Sequence, residues 1–298
     1  MWIKEPVTIT EHIEFLGRPE LCTYLLKGDT YALAGGAMAH VIPYVLTQLN
    51  DLNVDVERIR YLILLHTHFD HIGMAPHLAQ QWPWLRVAVS GVGAEILKNR
   101  KALKVIQDYN NSALATNGLL DQAEPLDIVH KGFPVHYILN SGEGLDLGNG
   151  ITLHPIDVPG HSVCSTALYF PREYALFPSD SIGSLTNEGI LPFGSSNYDD
   201  FQESIDRLSK VGAEIICLEH FGVLTPPEGK QFCEAAKKVA KEFRSKIADT
   251  YRERGEVEGA VNELVDDFYF GFSKAGLLPE DLLRDIVKRM VTFVNQIG

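Results

Sequence analysis

Three of the chain's 11 histidines fall within six residues, in the run Leu65-His66-Thr67-His68-Phe69-Asp70-His71. Three imidazoles and a carboxylate at that spacing are the donor types that borderline divalent metals prefer. Packing gives no reason to crowd them, since imidazoles fill a core poorly and repel one another when protonated. The run follows an apolar stretch, residues 61–65, and therefore reads as a loop at the end of a buried strand. Three later residues share that setting: His161 in Val158-Pro159-Gly160-His161, Asp180 in Pro178-Ser179-Asp180, and His220 in Leu218-Glu219-His220. Each is a metal-competent side chain just past a strand-like run, where a sheet can hold it and a turn can expose it.

The elements needed to position these groups are legible. Residues 7–15, 22–34, 61–65, 85–90, 135–139, 150–158, 167–170, 174–178 and 214–218 read as strands. Residues 40–49 and 198–211 read as helices, the second opened by Asn197 with Phe201, Ile205 and Leu208 on one face. Runs of strands with interspersed helices predict two sheets packed face to face with helices outside. Residues 93–126 interrupt the strands as a helical insertion. From residue 229 onward the chain turns helical. Its last helix carries the apolar stripe Leu283, Ile286, Val287, Met290, Phe293, Val294 and Ile297, which packs on the main domain or pairs with a second subunit.

Composition narrows the function classes. The chain has 298 residues, 45% of them hydrophobic and 22% charged, as globular proteins do. A net charge of −13 disfavours nucleic acid and anionic membrane surfaces. No apolar run approaches the ~20 residues of a bilayer span, and the N-terminus lacks the pattern of a secretory signal. Four scattered cysteines, Cys22, Cys164, Cys217 and Cys233, form no Cys-x-x-Cys pair. Neither a disulfide framework nor a cysteine-based zinc site is expected, and a reducing cytoplasmic location fits.

The ordered series His66-x-His68-x-Asp70-His71, Gly160-His161, Asp180 and His220 resembles the ligand signature of the metallo-β-lactamase-fold hydrolases. The resemblance implies an α+β fold, a four-layer αββα sandwich, with a catalytic domain over 1–228 and a C-terminal helical extension over 229–298. It also implies two divalent metal ions, zinc first, with iron or manganese accepted by the same donors. His66, His68 and His161 would bind one ion and Asp70, His71 and His220 the other. Asp180 would bridge them, together with a hydroxide that attacks the substrate. Asp70 and Asp180 are the expected catalytic carboxylates, taking the proton and passing it to the leaving group. Lactamases commonly lack the bridging Asp, and the redox di-iron branch usually has Glu where His68 stands; both activities are disfavoured.

Three departures from the pattern matter. Ser179 and Glu219 stand where glycines usually precede the bridging Asp and the last His. Ala34-Gly35-Gly36-Ala37 replaces an early Asp-x-Gly, which removes an expected outer support for Asp70 and His71.

The expected reaction is hydrolysis of a small ester, thioester or lactone, with a phosphodiester or a ligand-binding effector role as the alternatives. A helical insertion plus a helical C-terminus resembles the acyl-thioesterase and glyoxalase-two-like members. Tyr109, Phe193, Tyr198 and Phe270 are the candidate substrate residues, with helix-core packing as the competing role for Tyr109 and Phe270. His77 is expected on the surface, and His136 and His154 as hydrogen-bonded strand residues.

Overall fold

A computed structural model describes residues 1–121, 123–272 and 280–296, the last six of the middle block by backbone alone. The chain starts in β1 (Trp2–Ile3), an edge strand of the second sheet. It then lays down the first sheet in chain order: β2 (Val7–Thr8), β3 (Ile13–Arg18), β4 (Leu21–Lys27), β5 (Tyr31–Ala34), β6 (Ile59–Ile63), β7 (Arg86–Ser90) and β8 (Tyr137–Leu139). The second sheet uses β9 (Leu145–Gly148), β10 (Ile151–Asp157), β11 (Thr166–Phe170), β12 (Ala175–Phe177), β15 (Ile215–Cys217) and β16 (Val223–Leu224), with β1 paired to β16. A small hairpin, β13 (Ser184–Thr186) and β14 (Gly189–Leu191), stands apart.

Period-two alternation builds the sandwich. In β4, Cys22, Tyr24 and Leu26 face the second sheet, where they meet Phe170, Phe177 and Cys217. Leu21 and Leu25 face outward and pack under helices. Those helices are α1 (Ile42–Asp51), α2 (Met74–Gln81), α3 (Gly91–Lys98), α4 (Arg100–Thr116) and α5 (Ile128–Lys131). On the far face, α6 (Tyr198–Leu208) and α7 (Glu228–Arg254) cover the second sheet through Phe201, Ile205, Phe232 and Ala236. The four layers run α, β, β, α, as the sequence predicts. Residues 93–126 fall in α3, α4 and the segment after them.

The C-terminal helices α7, α8 (Val257–Phe272) and α9 (Glu280–Val294) form their own apolar cluster. From the stripe on α9, Leu283, Val287 and Met290 are buried against Ile247, Leu264, Phe193 and Tyr198 of the same chain, with Ile286, Phe293 and Val294 half-buried beside them. Ile297 lies outside the described residues. Burying an aliphatic side chain of this kind contributes roughly 1.5–3 kcal/mol, so intramolecular packing accounts for most of the stripe. Among the described residues, no helix is long and apolar enough to cross a membrane.

Candidate metal centre

The run 66–71 leaves β6 through the buried pair Leu64–Leu65 and closes in a 3-10 turn over Phe69–His71. Thr166 N–H donates to Leu65 O at 2.8 Å, tying the loop to the second sheet. Gly36 passes beneath it so closely that an added Cβ would stand 2.2 Å from His71 O; only glycine fits. Across the cleft, Gly160 has φ +126°, and a Cβ there would meet Phe201 N at 2.2 Å. Gly160 O accepts from Ser196 N–H and Asn197 N–H, both at 3.0 Å, which fixes the turn that presents His161. His220 follows β15 on a segment bonded to the first sheet: Cys22 N–H donates to Glu219 O at 2.8 Å.

These turns bring all seven expected donors together. His66, His68 and His161 form one group whose donor atoms lie within 4.8 Å of one another, and Asp70, His71 and His220 form a second. Asp180 Oδ2 reaches both, at 3.7 Å from His66 Nε2, 3.6 Å from His161 Nε2, 3.4 Å from His71 Nε2 and 3.5 Å from His220 Nε2. The outer nitrogens are held by oxygen acceptors. His161 Nδ1 donates to Phe193 O at 3.0 Å and His220 Nδ1 to Glu20 O at 2.7 Å. His66 Nδ1 lies 3.1 Å from Glu219 Oε2 and 3.0 Å from Ser179 Oγ. His71 Nδ1 lies 3.2 Å from Glu219 Oε1, close but poorly aligned. Each of these four rings turns Nε2 inward; His68 instead presents Nδ1, 3.0 Å from His161 Nε2.

The chemistry of this set fits cations. His66 Nε2 and His71 Nε2 are buried and make no hydrogen bond, although each faces Asp180. Buried nitrogens are rarely left in that state unless something else binds them. Burial and the neighbouring His66 and His161 push the His68 imidazole well below its ordinary pKa, and burial takes His161 down to about 4. Both rings are therefore neutral and ready to bind a metal. In the second group, burial opposes charge, yet the carboxylates of Asp70, Glu219 and Asp180 hold His71 well above its usual range. His71, His220 and His68 in turn overcome burial and depress Asp70. Positive charge is favoured between the two Asp carboxylates, where a cation would sit.

A cavity of about 380 Å³ opens over the donors, lined by His68, Asp70, His161, Asp180 and His220. Phe69, Ile106, Tyr109, Phe193, Leu282 and Ile286 form its apolar wall, with the Phe69 and Tyr109 rings 5.8 Å apart. Of the expected substrate residues, Tyr109 and Phe193 line this cavity. Tyr198 does not line the cavity: it is fully buried in the C-terminal cluster and its hydroxyl donates to Ala240 O at 2.9 Å. Starting α6 at this residue turns the ring toward α7 and away from the donors. The side chain of Phe270 lies outside the described residues. His77, expected on the surface, is half-buried under the segment 124–136.

Sequence reading missed the part played by Glu219 and Ser179. The exchange of Asp-x-Gly for Ala34-Gly35-Gly36-Ala37 was expected to strip support from Asp70 and His71. Glu219 brings a carboxylate to 3.2 Å from His71 Nδ1 from the turn after β15. The available signal was an acidic residue closing an apolar strand beside a ligand, since a buried carboxylate must be paired.

The cavity widens into a mouth of about 1240 Å³ that shares His68, His161, Ile106 and Arg289 with it. Four cationic side chains, Lys101, Arg244, Lys288 and Arg289, line this mouth against two carboxylates, Asp199 and Asp285. Arg244 is paired with Asp199 at 2.7 Å and Lys288 with Glu258 at 2.6 Å. Among the described residues, Lys101 and Arg289 have no ion-pair partner.

Comparison with known proteins agrees with this geometry. The sequence profile of the metallo-beta-lactamase superfamily matches residues 31–220. A metallo-beta-lactamase fold-containing protein of Sulfurisphaera tokodaii is 25% identical over 181 residues, 57% of this chain and 64% of that one. Diflavin flavoprotein A 1 of Synechocystis is 28% identical over 162 residues, 54% of this chain and 23% of that one. The chain thus spans less than two thirds of the length of either relative. A metallo-beta-lactamase family protein from Thermus thermophilus superposes with TM-score 0.68 at 18% identity, covering 97% of this chain and 95% of that one. A profile match over most of the sandwich, on a chain with this donor set, shows that the protein belongs to the metallo-beta-lactamase superfamily.

Proposed function

We propose that the protein hydrolyses a small ester, thioester or lactone that carries an anionic group, with two divalent ions, zinc first, held by the seven donors. The observation that supports this reading best is Asp180, one carboxylate oxygen within reach of two separate donor groups at the floor of an apolar-walled cavity. When bound, two such ions polarise a carbonyl and make water acidic enough to attack at neutral pH. The chain's own residues do the rest. His66, His68 and His161 hold one ion and Asp70, His71 and His220 the other. Asp70 and Asp180, the carboxylates that line the cavity beside the histidine donors, take up the proton and return it to the leaving group. Phe69, Ile106 and Tyr109 seat an apolar acyl group and exclude water. Arg289, at the junction of cavity and mouth, attracts the anionic end.

Phosphodiester hydrolysis is the second reading, favoured by the same cationic mouth. The test is a panel of acyl thioesters, esters, lactones and bis-nitrophenyl phosphate, assayed alongside elemental analysis of protein purified without added metal. Turnover of acyl compounds by metal-loaded protein, lost on chelation and restored by zinc, supports the first reading. Preferential cleavage of the phosphodiester selects the second. No turnover of any member with both ions bound points to a ligand-binding protein instead.

A further inference from the structure

The usual glycine before the last ligand is replaced here by a glutamate with almost no access to solvent. Glu219 is 1% exposed, and its two oxygens face different rings: Oε2 is hydrogen-bonded with His66 Nδ1 at 3.1 Å, while Oε1 stands 3.2 Å from His71 Nδ1 without an aligned hydrogen bond. His66 belongs to one donor group and His71 to the other. Gly35 lies next to the carboxylate, and a Cβ at that position would stand 3.7 Å from Glu219 Oε1. The loop from which an acidic residue has gone is therefore the one that borders Glu219. Ser179, at φ 57°, adds a hydroxyl 3.0 Å from the same His66 nitrogen.

We propose that Glu219 is the shared positioning residue of the centre: one buried carboxylate fixes the tautomer of a histidine from each donor group, so both ions depend on it. This rests on the reading that both groups bind a cation. An ionised carboxylate can only accept, so with one oxygen beside each ring a proton on Nδ1 is favoured in both and Nε2 is left free to ligate. An amide cannot do this. Glutamine at 219 offers one oxygen and one NH2 group. Whichever way it turns, one ring meets a donor and must accept at Nδ1, which moves its proton to Nε2 and removes that nitrogen from the ligand set.

Two measurements decide the matter, with zinc as the probe. In a chelator competition titration, wild type binds two zinc ions per chain. Glu219→Gln is expected to keep one of them within about threefold and to weaken the other by about 10–100-fold, the range for lost outer-shell partners. Equal affinities for both ions in wild type and Glu219→Gln overturn the proposal. The second measurement needs no variant, which protects the test if Glu219→Gln fails to fold. Long-range nitrogen–proton correlation spectra of zinc-loaded wild type should show His66 and His71 protonated on Nδ1. His66, His71 and Glu219 are themselves a donor group within 4.8 Å, and both Nδ1 atoms face the carboxylate. An ion seated there would leave Nδ1 bare, and that spectrum also overturns the proposal. Wild type binding fewer than two ions defeats the dinuclear reading, and the tautomer spectrum still decides the role of Glu219.

Discussion

Arg289 gives the most direct test of the substrate class. Its guanidinium lines both the donor cavity and the mouth and has no ion-pair partner among the described residues, whereas its neighbour Lys288 is neutralised by Glu258 at 2.6 Å. A unit charge pair at ~4 Å is worth about 1 kcal/mol in bulk water and about 4 kcal/mol at an effective dielectric of 20. Arg289 is exposed, which puts it near the first limit, and measured pairs of that kind give about 0.2–1 kcal/mol. A cleft wall raises this modestly, so about 1–2 kcal/mol is expected, or roughly a 5–30-fold effect on KM at 1.4 kcal/mol per decade. The assay compares two thioesters with one hexanoyl group, one leaving as 3-mercaptopropionate and the other as its N-methylamide. A second pair carries the carboxylate on the acyl side: a monothioester of adipate against its methyl ester. Wild type should favour the acidic member of at least one pair. Arg289→Ala should abolish that preference and Arg289→Glu reverse it, with turnover of the neutral members unchanged. Added salt should shrink the preference in wild type. Equal KM values for Arg289→Ala and wild type on every acidic member would refute the electrostatic reasoning.

Four further outcomes follow from the contacts described. Asp180→Ala should lose bound metal and hydrolysis together, as elemental analysis and the substrate panel would read; a fully active, metal-poor variant contradicts the site. Tyr109→Ala should raise KM for long acyl chains more than for acetyl esters, because the ring is part of the apolar wall. Tyr198→Phe should cost about 1 kcal/mol of stability through loss of the bond to Ala240 O and leave KM alone, which urea unfolding and kinetics would show. His40 is buried, and burial, followed by the charge of Arg18, lowers its pKa from 6.5 to about 4. The unfolded chain therefore takes the proton first as pH falls, so its stabilising effect is complete above pH 6.5 and is lost between 6.5 and about 4. The loss is roughly 2–3 kcal/mol. His40→Gln should flatten that part of the stability–pH curve, and parallel curves for the two proteins would refute it.

Legibility in the sequence followed the range of the interactions involved. The loop 66–71 announces itself because four donors sit on one short segment, and His161, Asp180 and His220 because strands end just before them. The layers were readable from strand alternation and from the Asn197 cap, whose Oδ1 accepts from Asp200 N–H at 3.0 Å. The short strands β1, β9, β13, β14 and β16 are not legible because periodicity needs length: β1 pairs with β16 more than 200 residues away, and nothing local marks either. Tyr198 was misplaced for a related reason. Nearness to Asp180 in the chain says nothing about helix phase, and the phase of α6 points the ring at Ala240.

The three departures from the family pattern show the same limit in its most consequential form. Taken one at a time, a missing Asp near residue 35, a serine at 179 and a glutamate at 219 read as losses of a support and of two flexible turns. In three dimensions they meet at a pair of imidazoles. Ser179 tolerates φ 57° and repays the strain with a hydroxyl beside His66. Gly35 leaves room next to a carboxylate that arrives from the other sheet, held by Cys22 N–H on the carbonyl of its own residue. The support expected from the first sheet is thus delivered by the second. Because the same carboxylate touches a ligand from each group, the exchange replaces support for one half of the centre with support for both. Adding an acidic residue to the loop 34–37 alone should therefore harm the site. An Asp at 35 on the wild-type background would add a second negative charge against Glu219. It would also force a side chain onto a backbone at φ +90°, 2.8 Å from Cys22 O. Gly35→Asp should consequently weaken zinc binding and thermal stability together, while pairing it with Glu219→Gly should recover part of the metal affinity. Additive losses in that double variant would show that the two positions act independently.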